Sequence, residues 1–134
     1  MLWTPGPDRA GRANVTAFIR WLARERGLDF EDGGYPALWR WSVTDLDGFW
    51  QAVWDYCGIE ASAPPTAVLG RRTMPGAEWF PGARLNYAQH VLRREQPGED
   101  ALYYQSESMP LAGLSWPDLA NSVRVLATRL RAMG

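Results

Sequence analysis

Residues 74–92, MPGAEWFPGARLNYAQHVL, constrain the fold of this chain more than any other stretch. Pro75-Gly76 and Pro81-Gly82 are tight-turn signals, because proline presets φ and glycine accepts conformations other residues avoid. Trp79 and Phe80 stand between them. Two large aromatics in a rigid loop act as anchors buried against something fixed. From Leu85 the pattern becomes helical, with Leu85, Ala88 and Leu92 on one face. Asn86 and Gln89 resemble a capping box, each side chain in reach of the other's backbone N–H. Pro97 and Gly98 stop the helix.

Upstream, residues 1–13 are rich in Pro, Gly and Arg and read as a mobile arm. A first helix is expected over 14–26, with Asn14 as N-cap, Gly27 as C-terminal stop, and Val15, Phe18, Ile19 and Leu22 as its apolar stripe. Gly33 and Gly34 then break the chain before Tyr35. A second helix is expected to start at Thr44, which makes an approximate capping box with Asp47, while Asp45 and Asp47 suit the positive end of the helix dipole. Leu46, Phe49, Trp50, Val53, Trp54 and Cys57 form its broad apolar face, and Gly58 ends it. Residues 60–67 contain Pro64 and Pro65 and read as an extended connector. Val68 and Leu69 come next as a short strand.

Downstream, residues 101–105 read as a buried strand. Pro110 and Gly113 mark a turn, and residues 114–116 pair back as a brief second strand. Ser115 with Asp118 is a capping-box variant, and Pro117 fits a first helical turn. Leu119, Val123, Leu126, Leu130 and Met133 then run at 4-3-4-3 spacing, the cleanest helical signal in the chain. Gly134 occupies a natural C-cap position. In an α/β domain a strand should come after such a helix, so the sequence reads as cut off before its sheet is built.

Composition narrows the classes. The 134 residues are 46% hydrophobic and 22% charged with a net charge of −1, which offers no electrostatic case for nucleic acid or an anionic membrane. No window holds the ~18 uninterrupted apolar residues of a membrane span, and residues 1–11 lack the apolar core of a signal peptide. A single cysteine, Cys57, excludes an internal disulfide framework. Together these features favour a cytoplasmic protein. All 14 basic residues are arginine. A GC-rich coding bias accounts for that, yet it means that any mechanism needing a lysine cannot be completed by this chain.

Candidate chemistry is sparse. One histidine, His90, and one cysteine do not supply the three or four ligands of a metal site, so no metal is expected. His90 reads as a solvated or hydrogen-bonded surface residue, and Cys57 as buried and inert. Ser106 and Ser108 lie near Glu107, but no histidine is local and no GxSxG turn exists, which argues against a hydrolase. No phosphate-binding GxxxxGK[ST] occurs. Among the eight tryptophans, Trp39, Trp41, Trp50 and Trp54 form either a ligand platform or a small aromatic core. The i, i+4 spacing of Trp50 and Trp54 beside Phe49 and Val53 favours the core. Arg71, Arg72 and Arg84 either contact a phosphate of CoA or ATP or are solvated loop arginines.

Three runs resemble one enzyme family. Residues 74–88, MPGAEWFPGARLNYA, look like the segment just ahead of the catalytic domain in acetoacetyl-CoA synthetases, in the acetyl-CoA synthetase-like branch of the adenylate-forming enzymes. Residues 35–59, YPALWRWSVTDLDGFWQAVWDYCGI, resemble the same family at the expected distance. Residues 114–134, LSWPDLANSVRVLATRLRAMG, resemble the first helix of an AMP-binding domain. Gln89 departs from the acidic residue expected there.

The resemblance implies an α/β parent fold, of which this chain is a mainly α-helical opening part with a short β-hairpin. It implies an arm and first helix over 1–34, an acetyl-CoA synthetase-type N-terminal region over 35–98, and the truncated start of an AMP-binding domain over 99–134. The intact enzyme would use ATP, Mg²⁺ and CoA on acetoacetate or a short acyl acid. The family's catalytic lysines have no counterpart here, so no catalytic residue is expected and the chain alone should be inactive and bind these ligands weakly. Alternatives are a fragment of an acetyl- or propionyl-CoA synthetase and a free-standing helical interaction module.

Overall fold

The structure is a computed structural model describing residues 4–30 and 34–134. The chain divides into two units between Leu85 and Asn86. The 74–92 stretch is therefore not one organising element. Its loop ends the first unit, and its helix begins the second.

Among the described residues, the first unit packs three longer helices, with a short one ahead of them. Residues 4–13 are not wholly irregular: Pro7–Gly11 forms a short helix, α1, with proline preorganised for its first turn. The chain then enters α2, Asn14–Arg26. Its N-cap is Ala13, not Asn14. The extended Ala13 carbonyl already accepts from the N–H groups of Thr16 and Ala17, which places Asn14 inside the helix. Gly27 closes α2 at φ 64°, as expected.

Helix α3, Gly34–Thr44, replaces the expected chain break at Gly34; Gly33 lies outside the described residues. Pro36 suits a first turn, and Leu38 with Trp41 marks a core-facing side that the glycines obscure. Thr44 is the last residue of α3, so it cannot cap the next helix. The N-cap of α4, Leu46–Tyr56, is Asp45. One Asp45 carboxylate oxygen accepts the Gly48 N–H at 3.0 Å and the other accepts Trp41 Nε1–H at 3.1 Å. One side chain thus ties the two helices together at their corner. Gly48 permits this, since a Cβ there would lie 2.1 Å from Asp45 Oδ2.

Phe18, Leu22, Leu38 and Ala52 form the buried centre, flanked by half-buried Ile19, Trp21, Phe30, Trp41, Phe49 and Val53. Small Ala52 lets α4 approach its neighbours closely. The expected broad face of α4 is split. Phe49, Ala52 and Val53 turn to the helical core, while Trp50 and Trp54 contact the 62–84 loop. Cys57 belongs to neither set. It is the C-cap and is exposed, because neither packed side extends past the last helical turn.

The second unit begins with α5, Tyr87–Leu92. Asn86 caps it as expected, its side chain accepting from the Gln89 N–H at 3.2 Å. Leu85 precedes the helix and is exposed, and the helix ends well before Pro97. Strands β1, Asp100–Ser106, and β2, Met109–Ser115, pair antiparallel, with Tyr103 opposite Gly113 and Tyr104 opposite Ala112. The turn lies at Glu107–Ser108, not between Pro110 and Gly113, both of which sit inside β2. A two-stranded ribbon has only edge strands, and an edge strand tolerates proline's missing N–H.

The expected buried strand is mostly exposed. Ala101 alone in β1 is half-buried, because only two strands form the sheet. Helix α6, Trp116–Ala132, starts directly after β2. Ser115 caps it by accepting the Asp118 N–H at 3.2 Å, with Pro117 in the first turn. Ala120 is fully buried, whereas Leu126, Leu130 and Met133 of the expected stripe are 58%, 57% and 82% exposed. Among the described residues no helix is long and apolar enough to cross a membrane.

Candidate functional site

The most highly organised feature of the first unit is the seat of the 62–84 loop on α4. Its backbone folds back on itself without forming a regular sheet. The Ser62 N–H donates to the Arg84 carbonyl at 2.8 Å, and the Arg84 N–H to the Ala63 carbonyl at 3.1 Å. Further along, Thr66 N–H reaches the Pro81 carbonyl at 2.8 Å, Phe80 N–H reaches Val68, and Gly70 N–H reaches Glu78. Isolated bridges pair Ala63 with Arg84 and Leu69 with Trp79, so the expected strand at Val68 and Leu69 is reduced to one bridge.

Side-chain contacts brace the loop from base to tip: at the base, Ser62 Oγ donates to the Arg84 carbonyl at 3.2 Å. Thr66 Oγ1 donates to the Pro81 carbonyl at 3.2 Å, and Arg71 Nε donates to the Gly76 carbonyl at 2.8 Å. Pro81 and Gly82 occupy the middle of a turn closed by the Ala83 N–H on the Phe80 carbonyl at 3.1 Å, with Gly82 at φ 81°. Phe80 itself is held at φ 47°, a conformation that costs a non-glycine residue about 1–2 kcal/mol. The surrounding contacts must offset that cost.

The offset comes from aromatic packing. Trp79 meets Trp50 edge to face at 5.3 Å between centroids, and Phe80 meets Trp54 at 4.5 Å. Trp50 in turn touches Phe49 at 5.4 Å. Phe49 touches Trp41 of α3 and Phe18 of α2, and Phe18 touches Trp21 and Tyr56. A continuous run of ring contacts thus links the loop to all three helices. The tryptophans act as core and as a clamp on the loop. Trp79 is nevertheless 42% exposed. It is an anchor resting on Trp50 of α4, not the buried one expected.

Ion pairs brace the same arrangement from α4. Asp47 pairs with Arg72 and Asp55 with Arg26. Gln51 Nε2 also donates to Asp55 at 3.1 Å, and the Arg26 guanidinium lies 5.9 Å from the Trp21 ring centroid. Of the arginines considered for phosphate contact, Arg71 therefore holds its own loop and Arg72 holds α4. Arg84 is exposed and contributes its backbone to the Ala63 bridge. Sequence reasoning did not find the pairs with Asp47 and Asp55. Only the tertiary fold brings residues 25 and 29 positions apart together.

Arg124 of α6 pairs with Glu95 at 3.6 Å, and the Ser106 and Ser108 hydroxyls lie 3.3 Å apart. His90 is half-buried on α5. Among the described residues, no three His, Cys, Asp or Glu side chains are grouped to hold a metal.

The family of the acetyl-coenzyme A synthetase N-terminus matches residues 35–91. That span runs from α3 through α4 and the clamped loop into α5. Across nearly the whole chain, the sequence is 35% identical to an acetoacetyl-coenzyme A synthetase of Rhizobium meliloti, covering 99% of this chain and 20% of that protein. It is 32% identical to a malonamoyl-CoA synthetase of Penicillium aethiopicum, covering 99% of this chain and 19% of that protein. The solved acetoacetyl-CoA synthetase from Streptomyces lividans superposes with a TM-score of 0.88 at 48% identity, over 99% of this chain and 21% of that one. The chain spans about a fifth of the length of the curated relatives it matches. Residues 35–91 thus belong to the family of the acetyl-coenzyme A synthetase N-terminus, and the chain as a whole, helices, clamped loop and hairpin together, is similar to about a fifth of an acetoacetyl-CoA synthetase.

Proposed function

We propose that the protein carrying this chain is an acetoacetate–CoA ligase, and that this segment serves it as a structural support. The likeness to the Streptomyces lividans enzyme along the whole chain carries the reading. In the proposed reaction the acetoacetate carboxylate attacks the α-phosphorus of ATP and pyrophosphate leaves. The CoA sulfur then attacks the acyl carbon and AMP leaves. Adenylation is needed because AMP is a far better leaving group than hydroxide. Mg²⁺ and lysine side chains would stabilise the charge on the transferring phosphate. This chain holds no lysine, so those groups must come from other parts of the enzyme.

The likeness to a malonamoyl-CoA synthetase supports a substrate class. Acetoacetate and malonamate are both short acids with a carbonyl at C3. We read the substrate as an acid of this kind, with acetoacetate the first choice. Acetate and propionate lack that carbonyl. Arg71 and Arg72, engaged with Gly76 and Asp47, are read as structural residues.

The test uses the intact protein with MgATP, CoA and each of acetoacetate, malonamate, acetate and propionate, following AMP release. Preference for acetoacetate supports the reading, and preference for acetate or propionate overturns it. A second arm uses the 134-residue chain alone with acetoacetate, MgATP and labelled pyrophosphate. No exchange into ATP is expected, and exchange above a boiled control would show that the chain carries its own adenylation chemistry.

A further inference from the structure

We draw no further inference here: the strongest candidate, the apolar cleft between α2, α3 and α4 with the exposed Tyr35, Trp39 and Val43 stripe of α3 beside it, carries nothing because nothing in the structure shows what covers it.

Discussion

Replacing Trp79 with alanine probes the clamp between the loop and α4. Trp79 is 42% exposed, so a little over half of its surface is covered. A fully buried tryptophan covers up to about 250 Å², so about 140 Å² is lost on truncation. At about 25 cal/mol per Å² this is roughly 3.5 kcal/mol. Compactness of the unfolded chain reduces such figures by about 10–40%, which leaves about 2–3 kcal/mol. That is below the ~3–5 kcal/mol of a wholly buried large aromatic. The edge-to-face contact with Trp50 adds about 0.5–1.5 kcal/mol beyond this area term. The double-mutant cycle Trp79→Ala, Trp50→Ala should therefore give a coupling of that size. Because the chain has two units, global melting need not be two-state. Native-state hydrogen exchange at the Gly70, Glu78 and Phe80 amides, whose bonds hold the loop, reads the effect locally. Unchanged protection of these amides in Trp79→Ala, or a coupling near zero, would refute the clamp.

Three further outcomes are expected. Leu22→Ala, at the only large side chain fully buried among the described residues, should cost about 2–5 kcal/mol by urea denaturation; a loss under about 1 kcal/mol would place the core elsewhere. Gly48→Ala should displace the Asp45 carboxylate and remove the α4 cap, costing about 0.5–2 kcal/mol. Asp45→Ala in that background should then add little, and full additivity would mean that the two residues act separately. On α6, the isolated chain should associate through exposed Leu126, Leu130 and Met133, since contiguous exposed apolar side chains drive association. Leu126→Gln with Leu130→Gln should shift sedimentation toward monomer while costing under about 0.5 kcal/mol each; an unchanged oligomer distribution would exclude this face.

The same α6 face bears on whether the chain closes its own core. Strong hydrogen-exchange protection over residues 123–130 in a monomer would favour a self-sufficient module over part of a larger enzyme. Weak protection there, with stronger protection in α4 and the clamped loop, is the expected pattern.

Local rules were enough to find several elements of this chain. Gly27 ends α2 by taking a positive φ that glycine alone adopts freely, and the Asn86 and Ser115 caps depend on side chains three residues from the backbone N–H groups they satisfy. Such bonds form wherever the sequence places the partners, so spacing alone reveals them. The family was legible for a similar reason, since three quoted runs carry it without reference to contacts. Helix α3 was missed because its glycine-rich entry is a local break signal, which burial of Leu38 and the Trp41–Asp45 bond override.

Only the tertiary structure decided which side of each element is covered. Periodicity shows that a helix has an apolar face, not whether a partner reaches it. Hence Cys57, Trp79 and much of β1 are more exposed than their residue types suggest. It also divided the face of α4 between a helical core and an aromatic clamp, and joined Asp47 to Arg72 and Asp55 to Arg26. Those pairings span more than twenty residues of chain. They exist because the packed helices and the clamped loop fix both ends, a condition that local sequence cannot express.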